Sequence, residues 1–346
     1  MELSQREQAV LQAVIRSYIV TGEPVGSKAL CEIPTLNVSS ATIRAKMSEL
    51  CELGLLEQPH TSAGRIPTAL GYRYYIEQLM SDYHLTDEDK NVIDSLLPHN
   101  MDQPERIIEQ ACEALAELTN CAAMLTTPAD ERACVKKVNL IMLGRKTVMA
   151  VLVTSSGIIK NKITRCDLDI SIDLLEKVDN ILKQTVYGMP LSELNMPLSQ
   201  MIIMQLGAEA LTAAPIIIAV FEAAGSAADA EVKLKGESNL LRHREFSSSK
   251  ASQLLEYLKK KNGLIPFLKN VDNGISVVLG DEIGESALSS SGVIITRYNL
   301  FDRQVGSIAI LGPDRMDYEH IIPSILYFRD SLSRLLTESF LDEDYF

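Results

Sequence analysis

The stretch from Ser39 to Gly71 constrains this chain most, because its pattern is typical of a helix followed by a short hairpin. Ser39 and Ser40 stand just before a run of apolar positions, where their hydroxyl oxygens can accept hydrogen bonds from first-turn N–H groups. Four apolar residues then recur at helical spacing and predict one buried face: Ile43, Met47, Leu50 and Leu53. Gly54 is predicted to end this helix.

The other face of this predicted helix is polar and cationic in its N-terminal half. A helix with such an N-terminal half suits the major groove of DNA, where it can reach base edges and phosphates. We therefore expect Arg44 and Lys46 to contact bases or phosphates, and Ser39, Ser40 and Thr42 to assist them. An ordinary amphipathic helix with a solvated charged face remains an open alternative at this point, because helix-turn-helix patterns are degenerate.

A short hairpin is predicted after this helix. Residues 55–58 are too few for another helix, residues 59–64 favour a turn, and Arg65 and Ile66 begin the return arm. Small polar residues and free N–H groups let such a wing approach a DNA backbone or minor groove closely. The wing residues that we expect to contact DNA are His60, Thr61, Ser62 and Arg65.

Three further helices complete the predicted N-terminal unit. Apolar residues at helical spacing predict a first helix over 5–19, and Ser27 can cap a second one that ends at Cys31. Thr68 can cap a helix that follows the wing and continues to about Met80. On that helix we expect Arg73 to contact the DNA backbone and most of the tyrosines to pack internally. The order helix, helix, turn, helix, wing is that of a winged helix-turn-helix.

The net charge of −13 would repel DNA, so its distribution along the chain matters more than its sum. Residues 1–80 carry seven Lys and Arg against eight Glu, so this region is almost neutral and the excess acid lies beyond it. An acidic remainder would orient the neutral region toward phosphate. Acidity that only promotes solubility is an equally open interpretation.

Several functional classes are disfavoured by the sequence. The longest apolar stretch, residues 213–224, is shorter than the roughly 20 residues of a membrane span, and no secretory signal opens the chain, so we expect a soluble cytoplasmic protein. The six cysteines form no CxxC pair and the five histidines are dispersed, which predicts buried apolar cysteines and neither metal nor cofactor. No phosphate-binding glycine loop or nucleophile elbow is present, so an enzyme is not expected.

The remaining residues predict an α+β region of ordinary hydrophobic content, 46% over the 346-residue chain. A charged segment at 83–104 is typical of a linker, and β-type alternation begins near Ala122 and returns from Ile275. Between these strands, residues 191–228 are apolar and weakly charged, which fits either a subunit interface or a packed core. Strand order alone permits one sheet domain with an insertion or two separate domains.

Several motifs resemble one known family over nearly the full length. SSATIR, LGLL, HTSAGRIPT and GYRYY follow one another closely after EPVGS, and GESNLLRHREF, VVLGDE and GPDRMDY occur later in the chain. Together they resemble the HrcA family of bacterial heat-inducible transcription repressors. The chain departs from the family pattern at Ala45 and Lys46, where an Asn-Asp pair is common.

This resemblance implies an α+β multidomain fold with a winged helix-turn-helix domain, a GAF-like domain and a helix-rich dimerisation domain inserted into the latter. The corresponding bounds are 1–82 for the DNA-binding domain, 83–104 for the linker, 105–167 and 266–346 for the GAF-like domain, and 168–265 for the insertion. It also implies a homodimer on an inverted-repeat operator of double-stranded DNA ahead of chaperone operons, and activity that the GroE chaperonin promotes.

Two other classes of function remain open. The first is a regulator that senses a metabolite through the GAF-like region, where carboxylates at Asp281, Glu282 and the GPDRMDY segment could line a pocket or simply form charged turns. The second is an enzyme, which would need titratable residues to converge in a deep pocket.

Overall fold

The computed structural model describes residues 2–34, 36, 38–60, 63–80, 84–97, 104–130, 132–246, 248–259, 268, 274–301 and 303–341. Helices make up 53% and strands 22% of the fold, so the predicted mixture of helix and sheet is confirmed.

The N-terminal unit contains helices and one short hairpin. Its elements are α1 (Gln5–Thr21), α2 (Ser27–Cys31), α3 (Ser40–Glu52), β1 (Leu56–Glu57), β2 (Ile66–Pro67) and α4 (Ala69–Tyr74), which continues as a π-helical turn over Tyr75–Leu79. Ser4 begins α1 with a reciprocal capping box, since its hydroxyl accepts from the Glu7 N–H while the Glu7 carboxylate accepts from the Ser4 N–H. The predicted caps at Ser39 and Thr68 are confirmed. The cap predicted at Ser27 is wrong, because Gly26 occupies that position and Ser27 is the first helical residue.

A five-stranded antiparallel sheet forms the centre of the molecule. Its strands are β3 (Ala122–Thr126), β7 (Val232–Lys235), β8 (Ile275–Leu279), β9 (Ser291–Leu300) and β10 (Arg303–Pro313), in the spatial order β7-β3-β10-β9-β8. The helices on one face are α5 (Asp87–Leu96), α6 (Pro104–Thr119) and the closing helix α12 (Tyr318–Leu341). The helices on the other are α10 (Glu237–Leu240) and α11 (Ser248–Lys259).

A second unit lies between β3 and β7 in the chain. It contains a three-stranded antiparallel sheet, β4 (Val135–Gly144), β5 (Thr147–Thr154) and β6 (Ile159–Arg165), with α7 (Ile172–Thr185), α8 (Met196–Gln205) and α9 (Ala210–Ala228). Helix α9 packs on β5 and β6, and α7 packs on β4. We call residues 134–228 the inserted unit.

The predicted boundaries at 167 and 265 do not coincide with this division of the strands. Strands β4–β6 pair only with one another and pack with the helices that follow them, whereas β7 pairs with β3. Alternation along a strand shows which face is buried, but it carries no information about which sheet the strand joins.

The N-terminal unit packs against the central sheet domain. The rings of Tyr72 and Tyr318 lie with their centroids 5.9 Å apart, and both side chains are buried. Arg16 on α1 forms an ion pair of 2.7 Å with Glu319 on α12. The buried apolar residues of the N-terminal unit, of one face of the large sheet and of the inserted unit form one contiguous cluster. A single core therefore runs through all three parts.

Within the described residues, the segment Gly207–Ala228 is long and apolar enough to cross a membrane by length and composition. Half of its most apolar window is buried, because α9 packs on the small sheet, and this fits the core helix of a soluble protein. Three of the cysteines are buried, and burial raises the pKa of Cys112 and of Cys121 to about 12. Cys51 and Cys134 are half-buried and Cys31 is exposed, so Cys31 departs from the burial expected of most cysteines.

Candidate nucleic-acid interface

Helix α3 presents one buried and one exposed face, as its sequence predicts. Ile43, Met47 and Leu50 are buried in the core. Leu53, predicted on the same face, is 41% exposed, because α3 ends at Glu52 and the chain turns away at Gly54, whose φ is +72°. The buried row therefore fixes the orientation of the helix and directs its polar face outward.

The N-terminal end of α3 is held by hydroxyl groups. The Ser39 hydroxyl accepts a hydrogen bond of 3.2 Å from the Thr42 N–H and lies 2.9 Å from the Thr42 hydroxyl. The Ser40 hydroxyl lies 3.2 Å from that of Ser27, which joins the starts of α2 and α3. Lys28, which the sequence analysis did not select, is exposed beside this junction and adds a positive charge to it.

The two basic residues of α3 differ sharply in their surroundings. Arg44 is exposed, and its guanidinium has no hydrogen-bond or ion-pair partner within the described residues. The Lys46 ammonium instead lies 3.1 Å from a carboxylate oxygen of Glu7 and 2.5 Å from one of Glu49. Arg44 is therefore available to a ligand, whereas Lys46 links α3 to the start of α1.

Glu7 is the residue of this link that sequence reasoning missed. Hydrogen bonds from the Ser4 backbone and hydroxyl, together with that from Lys46, lower the pKa of Glu7 to about 2. The pattern Ser4-x-x-Glu7 is a capping-box signal and could have located Glu7. Its pairing with Lys46, 39 positions away, has no local signal.

The wing is a two-stranded hairpin in which Leu56 pairs with Pro67 and Glu57 with Ile66. Arg65 is fixed by its backbone, since its N–H and C=O each form a 2.9 Å hydrogen bond with Val25. A Cβ at Gly64 would lie only 2.4 Å from the Val25 carbonyl oxygen, so this close approach requires glycine. The wing is thereby joined to the segment between α1 and α2.

His60 and Arg65, two polar residues of the wing, differ in their exposure to solvent. His60 is exposed, and its carbonyl accepts a 2.8 Å hydrogen bond from the Ala63 N–H at the tip. Thr61 and Ser62 lie outside the described residues. The Arg65 guanidinium is half-buried, and among the described residues its Nε has no hydrogen-bond partner. A buried N–H without an acceptor is costly, so this arginine retains unused capacity to bind an anion.

Arg73, the last residue predicted to contact DNA, is held by the central sheet domain. Its Nε and Nη2 donate to the two carboxylate oxygens of Glu282 at 3.0 and 2.5 Å, and Nη2 also donates to the Val277 carbonyl at 3.0 Å. Arg73 also pairs with Glu77 on its own helix. The guanidinium is therefore directed toward the central sheet domain rather than toward the exposed face of α3.

The segments that could have lined a metabolite pocket, like Arg73, join the N-terminal unit to the rest of the molecule. Arg315, within the GPDRMDY segment, pairs with Glu245 and donates a 3.1 Å hydrogen bond to the Ile19 carbonyl of α1. Glu282 is occupied by Arg73, which lowers the pKa of its carboxyl group. These residues fasten the N-terminal unit to the rest of the molecule. In the described part of the chain, no three metal-binding side chains converge.

Comparison with known proteins shows which family this chain resembles. Residues 105–322 match the model of the HrcA protein C-terminal domain. Two proteins named heat-inducible transcription repressor HrcA are among the relatives. That of Lachnoclostridium phytofermentans is 35% identical over 94% of this chain and 95% of its own. That of Acetivibrio thermocellus is 32% identical over 96% of each chain.

A solved structure has a similar fold over the full length. It is described as a hypothetical protein at 2.2 Å resolution, and it covers 98% of this chain and 100% of its own at a TM-score of 0.69 and 25% identity. The family match covers more than half of the chain, and the named relatives span nearly all of it, including the α3 and wing region. The chain therefore belongs to the HrcA family of heat-inducible transcription repressors.

Proposed function

We propose that this repressor of heat-shock genes binds an inverted-repeat operator as a homodimer, with α3 in the major groove and the β1–β2 wing against the DNA backbone or minor groove. The observation that carries the proposal is the exposed Arg44, whose guanidinium has no partner among the residues that the structure describes, on a helix whose opposite face is anchored in the core. Arginine is the residue best suited to a guanine edge or a phosphate, because its planar donors bind two acceptors together. The family's function as a transcription repressor also means that the chain is not an enzyme.

Supporting contacts come from the residues around Arg44. Ser39, Ser40 and Thr42 fix the start of α3, so that its first-turn N–H groups and hydroxyls can approach a phosphate. Arg65 anchors the wing beside Val25, and His60, Thr61 and Ser62 are proposed as contacts at its tip. For Lys46 and Arg73, a DNA contact would require the present ion pairs to open.

The dimer is supported by the distribution of exposed apolar side chains. Within the described residues, most of the large apolar side chains that face solvent belong to the inserted unit: Ile141, Leu143, Ile163, Leu168, Ile172, Met196, Met201, Met204, Leu211 and Ile218. Exposed apolar area concentrated on one part of a soluble protein marks an interaction site. We therefore propose the inserted unit as the dimerisation domain, interrupting a GAF-like domain built on the five-stranded sheet.

Operator binding is tested by fluorescence anisotropy with labelled operator DNA. Arg44→Ala should weaken binding by about five- to a hundredfold per subunit, since one specific arginine contact contributes about 1–3 kcal/mol and the dimer carries two. Arg65→Ala should weaken it as well. Arg106→Ala, which removes an exposed arginine from α6 outside the inserted unit, is the matched control and should leave the affinity unchanged. Unchanged affinity in both Arg44→Ala and Arg65→Ala would refute the docking arrangement.

The interface is tested by sedimentation velocity. Met204 and Leu211 are 78% and 85% exposed, so aspartate at these positions leaves the core of the subunit intact. The double substitution should convert the dimer to a folded monomer and abolish tight operator binding, because one α3 reads too few base pairs. Val20→Asp, at an 83% exposed residue of α1, is the matched control. A double variant that sediments like wild type would exclude this surface.

The proposal also includes a chaperonin partner and a cytoplasmic location. The family resemblance supports promotion of repressor activity by the GroE chaperonin in the cytoplasm, at operators ahead of chaperone operons. Footprinting of such operators with purified repressor should show stronger protection when GroE and ATP are added. Protection that is identical with and without chaperonin would contradict this part of the proposal alone.

A further inference from the structure

A basic cleft lies at the edge of the large sheet, outside the N-terminal unit. It has a volume of about 590 Å³ and lies between β9 and the last turns of α12. Three arginines line it, together with polar and aromatic side chains: Arg297, Arg329, Arg334, Asn299, Ser333 and Phe301. A volume of this size is typical of small-molecule sites.

The cleft lies beside the last residues of β9. Within the described residues, the pairing of β8 with β9 runs from Leu279 with Gly292 to Ile275 with Thr296. Helix α12 binds the chain beyond Thr296, since the Ser333 hydroxyl accepts from the Asn299 N–H at 3.0 Å and the Thr337 hydroxyl accepts from the Phe301 N–H at 3.2 Å. These bonds hold the two walls of the cleft at a fixed separation.

The arginines of the cleft have spare binding capacity. Within the described residues, the Arg297 Nε is buried and has no hydrogen-bond partner. In the same part of the chain, Arg334 has a single 3.5 Å contact with Ser331, whereas Arg329 pairs with the adjacent Asp330 and donates to the Thr296 hydroxyl. A buried guanidinium N–H without an acceptor costs free energy in the empty protein, and an anion supplied by a ligand would remove that cost.

The charge of the cleft is opposite to that of the whole chain. The chain carries a net charge of −13, yet the cleft gathers three arginines against Asp330 and Glu338, and Asp330 is already paired. Positive charge in a concave site with low-dielectric walls concentrates anions. Arg297 and Arg329 are half-buried and Arg334 is exposed at the rim, so the cleft presents its positive charge both at its wall and at its opening.

We propose that this cleft binds a small ligand that carries a phosphate or carboxylate group, held by Arg297 and Arg334 and flanked by the ring of Phe301. The site is independent of the DNA interface proposed above. The cleft also borders the inserted unit. The Phe301 ring lies so close to Gly157, in the turn between β5 and β6, that a Cβ at this glycine would be only 2.8 Å from the ring. Phe301 itself adopts a φ of +53°, which is rare for a bulky residue and indicates a position that its surroundings constrain.

The experiment is isothermal titration of the full-length protein at constant ionic strength with two probes, pyrophosphate and citrate, which distinguish a phosphate from a carboxylate source. At least one should bind with submillimolar affinity and one-to-one stoichiometry per chain. Arg297→Met and Arg334→Met should each weaken that binding by about ten- to a hundredfold, as expected for the loss of a charge-assisted hydrogen bond. Arg165→Met is the control and should bind as wild type does.

Two further measurements separate a ligand site from a structural one. Arg297→Met should keep or raise the melting temperature of the ligand-free protein while it loses binding, since the substitution removes an unsatisfied buried N–H. A variant that loses binding only because it unfolds would show a lower melting temperature and would overturn the assignment. So would equal affinity of wild type and the Arg297→Met/Arg334→Met double variant for both probes.

Residues 342–344, which follow α12 in the sequence, are acidic and carry the same kind of anionic group as the proposed ligand. A chain that ends at Leu341 tests whether they occupy the cleft. Equal affinity of the full-length and shortened chains for the better probe supports a small-molecule site. Binding that appears only in the shortened chain would assign the cleft to the protein's own carboxylates and overturn the proposal.

Discussion

At the scale of single residues, Arg44 and Lys46 show that equal charge and neighbouring position do not imply equal surroundings. They are two positions apart on α3 and are equivalent in a sequence pattern. Burial of Ile43 and Met47 leaves Arg44 in solvent, whereas Lys46 faces two carboxylates. A charge that is already neutralised within the protein adds little to the attraction of a phosphate.

We predict that Lys46→Ala weakens operator binding less than Arg44→Ala does. The salt dependence of binding should also stay as in wild type, because Lys46 displaces no DNA counterion while it is paired with Glu7 and Glu49. Anisotropy titrations at several KCl concentrations measure both quantities. A salt slope lower by about one per subunit would instead show that Lys46 leaves these carboxylates and contacts a phosphate.

The hydrogen bonds that Glu7 accepts from Ser4 and Lys46 predict a pH dependence of stability. The pKa of Glu7 lies at about 2 in the folded protein and near 4.5 when unperturbed, so ionised Glu7 stabilises the fold above pH 4.5, and this contribution disappears as the pH falls toward 2. Glu7→Gln should lower the melting temperature at pH 7, and the difference from wild type should vanish near pH 2. Thermal unfolding followed by circular dichroism over this range measures it. A constant difference at all pH values would rule out the ionic origin.

At the scale of elements, short sequence patterns predicted where helices begin. Contacts between residues far apart in the chain could not be predicted in this way. Ser39 and Thr68 act on N–H groups three positions away, so each cap could be recognised in a short window. The pairing of β7 with β3 spans the whole inserted unit and has no signature in either strand. The exposed Arg44 and the wing followed from the sequence, whereas the partners of Lys46 and Arg73 depend on residues far away in the chain.

Gly71 and Gly225 both lie in helices but differ in the space available for a side chain, so they can be compared directly. A Cβ at Gly71 in α4 would lie 2.1 Å from the Leu55 carbonyl oxygen, whereas one at Gly225 in α9 would meet nothing within 4 Å. Alanine at position 71 should therefore destabilise the protein by about 1–3 kcal/mol, as other overpacking substitutions do. Alanine at position 225 should stabilise it by up to about 1 kcal/mol. Urea unfolding measures both, and destabilisation of similar size at the two positions would contradict the clash.

At the scale of the whole molecule, the N-terminal unit, which carries the proposed DNA-binding surface, is attached to the rest by polar and aromatic contacts. Arg73 with Glu282, Arg16 with Glu319 and the pair Tyr72 and Tyr318 join the N-terminal unit to the central sheet domain. None of these partnerships is visible in the sequence, because each joins residues that are more than 200 positions apart.

We predict that Arg73 acts mainly as an attachment point. A double-mutant cycle of Arg73→Ala and Glu282→Ala should give a coupling free energy of at most about 1 kcal/mol, because both side chains are more than one third exposed. Operator sequence preference and salt slope should remain those of wild type in the Arg73→Ala variant. A lower salt slope in Arg73→Ala with no coupling to Glu282 would assign Arg73 to DNA instead.

The contiguous core allows us to predict how the protein unfolds on heating. Because the N-terminal unit, one face of the large sheet and the inserted unit share one apolar cluster, we expect a single unfolding transition in calorimetry. Release of labelled operator should occur over the same temperature interval. Two resolved transitions, with the N-terminal unit melting separately, would contradict this prediction.

The shared core also bears on how such a repressor adapts to the growth temperature of its host. If release from the operator accompanies cooperative melting, any core substitution that lowers stability, even one far from α3, also lowers the temperature at which the genes are switched on. The thermal set point is then a property of the entire fold and can be adjusted in small steps, while the residues that recognise the operator stay unchanged.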